Sequence, residues 1–225
     1  MLNITNYPIN SEISDDFSIR LNNTEANAIK TRVSAMPFNC SWPGHQRPLD
    51  ETEIASYISF SCDNDVTICL TPKKSFKTVT IRPLSAKIIP EIKGENITFT
   101  VKCPGQYTVE LDSPHNALHI FADSITDFDL KQDDNLIYFG AGIHNIGNTE
   151  LKSNQTVYID RDAVVYGAFY AVDAQNIRIL GHGVLDGSKY ERQTDNFLAV
   201  YDFMRVPPES WEYVQMIGHF KGHEH

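Results

Sequence analysis

The chain has 225 residues, 41% of them hydrophobic, with 29 acidic against 19 basic side chains and a formal net charge of −10. That length holds one large domain or two small ones around a sizeable core. Lysine and arginine nowhere form a run of five, and binding to a phosphate backbone needs grouped cations, so a nucleic-acid partner is not expected. The longest uncharged apolar run, Ala163 to Val172, is far too short to cross a bilayer, so no membrane partner is expected either. Residues 1–10, MLNITNYPIN, lack the basic-then-apolar order of a secretory leader. As written the chain reads as cytoplasmic, with secretion as the alternative.

From the amino terminus, short runs alternate between apolar and polar residues, the pattern of half-buried strands. They are DFSIRL (16–21), YISFSC (57–62), VTICL (66–70), TVTIRP (78–83), ITFTVK (97–102), YTVELD (107–112) and ALHIFA (117–122). Turn chemistry separates them in DND, PLSAKIIPEIKGEN, CPGQ and DSPHN. Residues 24–35 fit a helix or a strand equally well. Seven strands about ten residues apart predict an antiparallel β-sandwich over residues 1–125.

Beyond a polar connector, SITDFDLKQDDN, a repeat begins. QTVYIDRDAVVYGAF (155–169) and QNIRILGHGVLDGSK (175–189) align at an offset of 20. Val157 then meets Ile177, Ile159 meets Ile179, Val164 meets Val184 and Gly167 meets Gly187. With one residue of slack the upstream LIYFGAGIHNIG joins: Phe139 with Ile159, Gly142 with Ala163, Ile143 with Val164. Aliphatic residues at matched phases predict stacked coils of parallel strands, because one coil cannot bury its inward side chains alone. Gly181-His182-Gly183 falls at the bend between two strands of a coil. Residues 126–225 therefore read as opening coils followed by an irregular excursion around Pro207-Pro208, with VQMIGHF (214–220) as the start of another coil. So few coils leave an aliphatic end uncovered, so the sequence reads as the front part of a longer protein.

The stretch IRILGHGVLDG (177–187) resembles the I-x-G-x-G-x-I/L-D-G coil of right-handed parallel β-helix polysaccharide enzymes, the polygalacturonases and related pectinase-type glycoside hydrolases with their dextranase-like cousins. YFGAGIH (138–144) and LKSNQTVYIDRDAVVYGAF (151–169) resemble the coils before it. VSAMPFNCSWPGHQRPLDETE (33–53) and VTIRPLSAKI (79–88) resemble the N-terminal β-domain of some bacterial members. The resemblance spans residues 30–190. It implies an all-β chain, an N-terminal antiparallel β-sandwich followed by the first coils of a right-handed parallel β-helix. It also implies a polysaccharide or oligosaccharide substrate and no cofactor. The family's inverting chemistry needs two carboxyl groups about 6.5–9.5 Å apart, one acid and one base. The family's Asn-Thr-Asp motif, its Asp-Asp doublet among the coils and its Arg-x-Lys are missing here, and His182 precedes the place where they belong. No catalytic residue is carried over. The chain is expected to be the N-terminal part of such a hydrolase, with the catalytic aspartates beyond it; the alternative is a non-catalytic carbohydrate-binding or structural module.

Trp42 and Trp211 are the candidate sugar contacts, each an aromatic face beside polar neighbours: His45, Gln46, Arg47 and Glu53 for the first, Tyr213 for the second. An inter-domain latch competes for the first cluster. Asp186 reads as a turn-forming residue that bonds backbone amides. Asp15-Asp16 and Asp133-Asp134 lie in turn contexts. A calcium-dependent lyase would need acids on adjacent coils; Asp160 and Asp162 pair, but Leu180 and His182 stand at the matched positions. His219, His223 and His225 read as a solvated tail, and no metal site is expected. Cys40, Cys62, Cys69 and Cys103 show no C-x-x-C spacing and read as buried thiols, with a Cys62–Cys69 bridge possible in an oxidising compartment. Sequons at Asn3, Asn22, Asn39, Asn96 and Asn154 read as chance in a chain without a leader.

Overall fold

The computed structural model describes residues 1–34 and 52–187, and beyond these only the backbone of three short strands. The described residues are all β apart from one 3-10 turn at Leu84–Ala86, and they group into two units that meet in sequence at Phe128 and Asp129.

The first unit carries β1 (Leu2–Ile4), β2 (Phe17–Leu21), β3 (Thr24–Ala26), β4 (Ile29–Ser34), β5 (Thr52–Cys62), β6 (Val66–Pro72), β7 (Val79–Arg82), β8 (Glu91–Lys93), β9 (Asn96–Val101), β10 (Gly105–Leu111) and β11 (Ser113–Ser124). One sheet runs β1-β5-β11-β10-β7 with β4 also on β5; the other runs β3-β2-β6-β9-β8. Strict alternation sorts the side chains. Phe17, Ile19 and Leu21 of β2, Val66, Ile68 and Leu70 of β6, and Ile97, Phe99 and Val101 of β9 all face one buried core. The other sheet supplies Ile58, Phe60, Val109, Leu118 and Ile120 to that core. Each such side chain contributes about 1.5–3 kcal/mol by leaving water.

All seven strands read from alternation are present, and the open stretch at 24–35 forms β3 and β4. The expectation of a wholly antiparallel arrangement needs correcting. β11 lies parallel to β5, with Leu118 opposite Ser56 and Ile120 opposite Ile58. The chain between them crosses to the other sheet and back, and parallel neighbours require such a crossover. The stretch read as turn at 83–96 contains β8, an edge strand whose side chains are all exposed, so it carries no alternation to read.

The cysteine reading is corrected too. Cys62 and Cys103 form a disulfide, their Cα atoms 6.1 Å apart. Cys62 is buried in the core, whereas Cys69 is a free thiol. The residues DND do not close a hairpin: β5 belongs to one sheet and β6 to the other. On β6 the residues before and after Cys69, Ile68 and Leu70, point into the core, so Cys69 points away from it and from Cys62.

Tyr107 clamps the loop that holds Cys103. Its hydroxyl donates to the Lys102 carbonyl at 2.9 Å and accepts from the Lys102 amide at 3.1 Å. A side chain at Gly105 would strike the Tyr107 ring at 2.5–2.7 Å, so the ring needs a glycine beneath it. Tyr107→Phe keeps the ring and leaves both backbone groups of Lys102 without that partner. A loss of about 1–3 kcal/mol is expected, measured by urea denaturation.

The second unit carries β12 (Leu136–Phe139), β13 (Gly142–Glu150), β14 (Thr156–Ile159), β15 (Ala163–Ala171), β16 (Arg178–Gly181) and β17 (Val184–Asp186). Then come the backbone strands β18 (Glu212–Tyr213), β19 (Gly218–Phe220) and β20 (Gly222–His223), with β18 antiparallel to β20. Two sheets, β12-β14-β16 and β13-β15-β17, are parallel throughout. β17 covers only Val164–Tyr166 of β15; β19 pairs parallel with Phe169–Ala171. Leu151, Val157, Ile159, Ala163, Val165, Phe169 and Ala171 form the buried core, joined by Ile137, Phe139, Ile179 and Leu185.

The rungs match the sequence alignment in part. Phe139 pairs with Ile159, Gly142 with Ala163, Ile143 with Val164 and Val164 with Val184, as the repeat predicts. The single residue of slack lies at the corner, where Gly140-Ala141 stand against Asp160-Arg161-Asp162, and a bulge between Asn145 and Gly147 then returns the offset to 20. Val157, however, faces Ile179, and Ile159 faces Gly181, so this strand pair is offset by 22 rather than 20 residues. The bend explains the change. From Ile159 to Val164 the chain turns through Asp160-Arg161-Asp162-Ala163, whereas from Gly181 to Val184 it turns through His182-Gly183 alone.

Two glycines permit that shorter corner. Gly181 sits at φ +125°, and a Cβ there would collide with the Ile159 backbone; a Cβ at Gly183 would collide with the Asp160 carbonyl and lie 2.9 Å from the Ala163 carbonyl. The Gly183 amide instead donates to the Ile159 carbonyl at 3.2 Å. The Gly-His-Gly triplet is thus the bend between two strands of one coil, packed tightly on the corner of the coil before it, as its phase predicts. At another corner Asn154 (φ +67°) and Asn176 (φ +58°) repeat one left-handed conformation on successive rungs, and Asn176 Nδ2 donates to Asn154 Oδ1 at 3.1 Å.

Candidate functional site

In parallel stacked strands the residues of one phase form columns along the stack. Ile137, Phe139, Val157, Ile159 and Ile179 turn inward on β12, β14 and β16. The alternate residues therefore turn outward, in two columns: Leu136, Thr156 and Arg178, and beside it Tyr138, Tyr158 and Leu180.

The second column is the better candidate for ligand contact. The Tyr138 and Tyr158 rings stack, centroids 5.5 Å apart and planes 12° off parallel, and Tyr138 on the edge strand is 53% exposed. The Tyr138 hydroxyl donates to Asp160 Oδ2 at 3.0 Å, while Asp160 Oδ1 accepts from the Asp162 amide at 3.2 Å. Asp160 is thereby aimed: the bend orients its carboxylate and the phenol caps it. An aromatic face, a phenol and a fixed carboxylate suit a ligand with one apolar face and hydroxyls at its rim. Arg178, exposed on the neighbouring column, adds a planar donor.

The hydrogen bond to Asp160, then partial desolvation and the Asp160 charge, raise the Tyr138 phenol above its ordinary value. Asp160→Asn is expected to bring it back down, read by ultraviolet titration of tyrosinate with Tyr138→Phe identifying the signal. The sign follows from linkage. A phenol whose folded value is raised contributes stability below its ordinary pKa, about 10, and loses it as pH climbs through the folded value.

Asp186 departs from the sequence reading. It ends strand β17 rather than forming a turn, is 9% exposed, and lies in register with Tyr166 of β15, itself opposite Asn145 of β13. Asp160 and Asp162 share one bend, the Asp162 amide donating to Asp160 Oδ1, and the described residues contain no group of three His, Cys, Asp or Glu able to hold a metal ion. Asp133 caps its own turn, accepting from the Asn135 amide at 2.9 Å, and Asp16 bonds through its amide to Ser14 Oγ.

Trp42, Trp211, His45, Gln46, Arg47 and Cys40 lie outside the described residues. Glu53, the described member of that first cluster, reaches His115 Nδ1 at 2.7 Å and the Asn116 amide at 3.2 Å, so it ties β5 to the start of β11. The repeat aligns Tyr138 with Tyr158, but a search for aliphatic ladders passes over both. The same match that set Phe139 on Ile159 set these tyrosines on each other, one residue earlier. The signal was an identical polar-aromatic residue at one phase of two rungs.

No family model matches the chain, and no curated protein matches it by sequence. Among solved structures, Dex49A from Penicillium minioluteum is similar in fold, with a TM-score of 0.59 and 19% sequence identity. The match covers 84% of this chain and 48% of Dex49A, so the chain spans about half the length of that protein.

Proposed function

We propose that the chain is the N-terminal portion of a polysaccharide-degrading glycoside hydrolase, a β-sandwich followed by the opening coils of a right-handed parallel β-helix. The parallel register of β12-β14-β16 and β13-β15-β17 carries this reading, because stacked coils are the scaffold on which such enzymes place carboxylates from neighbouring rungs. The likeness to Dex49A, a dextranase, supports the carbohydrate class. The polygalacturonase-like coil motif at residues 177–187 leaves pectic polymers as the second substrate class. The paired catalytic aspartates belong to later coils. Trp42 and Trp211 remain proposed sugar contacts, with Tyr138 and Asp160 added to them. The disulfide and the proposed substrate favour secretion over a cytoplasmic site.

Reducing-end release from dextran and polygalacturonate tests the reading. The purified 225-residue chain should release none, and the gene product that continues beyond it should hydrolyse one of the two polymers. Turnover by the 225-residue chain, or none by the longer product, overturns the reading.

The Tyr138–Asp160 arrangement favours a second reading, a carbohydrate-binding module with no hydrolytic role. The reducing-end assay on the longer product separates the two, since under the second reading it hydrolyses neither polymer; titration calorimetry with isomalto- and galacturono-oligosaccharides reads the binding itself. Under the second reading the chain alone binds, and Tyr138→Ala lowers affinity about tenfold, the effect of losing about 1.4 kcal/mol.

A further inference from the structure

We propose that Asn22 and Asn96 are acceptors for N-linked glycans, one at each end of the second sheet of the first unit. Both begin Asn-x-Thr sequons, Asn22-Asn23-Thr24 and Asn96-Ile97-Thr98, and both are exposed. Asn22 and Asn23 form the two-residue turn between β2 and β3, with φ of +46° and +70°. Asn96 opens β9 directly after the turn from β8.

The orientation of each carboxamide carries the argument. Asn22 Oδ1 accepts from the Thr67 amide at 2.9 Å, and because a backbone N–H only donates, the oxygen must be the atom facing inward. Asn22 Nδ2 is left toward solvent. Asn96 repeats the arrangement, its Oδ1 accepting from Thr71 Oγ1 at 2.6 Å. A glycosylated carboxamide keeps its oxygen as an acceptor, so both bonds survive modification. Asn3 offers the contrast: it is half-buried in β1 opposite Ser61, and its sequon threonine, Thr5, is buried. Asn154 is exposed and meets the same criterion, its Oδ1 accepting from Asn176 Nδ2 at 3.1 Å, so it is expected to be modified as well.

The Cys62–Cys103 disulfide supplies a second, independent observation, since such bonds form in the oxidising compartments where N-glycans are added. In the transfer, Asn Nδ2 forms a C–N bond to the anomeric carbon of a lipid-pyrophosphate-linked oligosaccharide. The lipid pyrophosphate leaves with the electron pair, and the amide proton passes to a base. The glycans would stand beside the edge strands β3 and β8, the latter with Ile92 49% exposed, and would hinder pairing with another chain.

The test is secretion of the 225-residue chain from a eukaryotic host behind a secretion leader. Peptide-N-glycosidase F in heavy-oxygen water and peptide mass spectrometry then mark each occupied asparagine as labelled aspartate. Label at positions 22, 96 and 154 and none at 3 is expected. Thr24→Val and Thr98→Val should each remove one glycan step on a gel while leaving Asn22 and Asn96 in place. An unlabelled Asn22, Asn96 or Asn154, whether the chain is secreted or retained, or label at Asn3, overturns the proposal.

Discussion

Gly181→Ala is expected to uncouple the rungs of the second unit. The new methyl would enter the Ile159 backbone, which cannot rotate aside as a side chain can, and the residue would hold φ +125° with a Cβ. Overpacking costs about 1–3 kcal/mol and a strained backbone a further 1–3, so a loss of roughly 3 kcal/mol or more is expected. Gly183→Ala should act similarly through the Asp160 carbonyl. Gly187→Ala is the control: its nearest neighbour would be the Gly167 carbonyl at 3.7 Å, ordinary contact, and its effect should stay within about 0.5 kcal/mol. Hydrogen exchange reads the result locally. Amides of β14 to β17 should lose protection in the first two variants while β6 and β9 keep theirs. Equal protection in Gly181→Ala and Gly187→Ala would contradict the stacked register.

Removing the disulfide with Cys62→Ala and Cys103→Ala is expected to lower the stability of the first unit by about 4 kcal/mol, the chain-entropy value for a closed loop of this size. The bond spans 41 residues, including β6, β7, β8 and β9, so it ties the end of one sheet to the loop leaving the other. Cys69→Ala should change little, because Cys69 points out of the core. Denaturation curves with and without reductant measure the first effect. Alkylation before reduction, followed by peptide mapping, checks the pairing: of Cys62, Cys69 and Cys103, only Cys69 should be labelled.

Alternation proved a good guide to which residues form strands and a poor one to which strands meet. FSIRL, VTICL and ITFTV each reveal their buried face in the sequence, because the period of two is local. Nothing local in YISFSC says that its partner is ALHIFA, or that the two run parallel. The same limit sent Cys62 toward Cys69, its neighbour in sequence, when the intervening turn leads into the opposite sheet. The coils show a subtler limit. Sliding one strand by two residues leaves every inward side chain inward, so Val157 facing Ile177 and Val157 facing Ile179 read alike. Only the lengths of the two corners, four residues against two, separate them. Of the site, the tyrosine column was legible in the alignment but eclipsed by the aliphatic pattern. The bond from Tyr138 to Asp160 joins residues on neighbouring rungs and depends on a bend whose shape no periodicity records. Trp42 and Trp211, candidates because each stands beside polar neighbours in the sequence, fall outside the described residues.

Strand β15 has a use beyond the core it closes. One half of it is paired by β17 and the other by β19, so the chain leaves at Asp186 beside Tyr166 and returns at Gly218 beside Phe169. Three residues of strand span about 10 Å. Departure and return are anchored on one continuous backbone. A break within β15 would therefore release the strand that leaves and the strand that returns together.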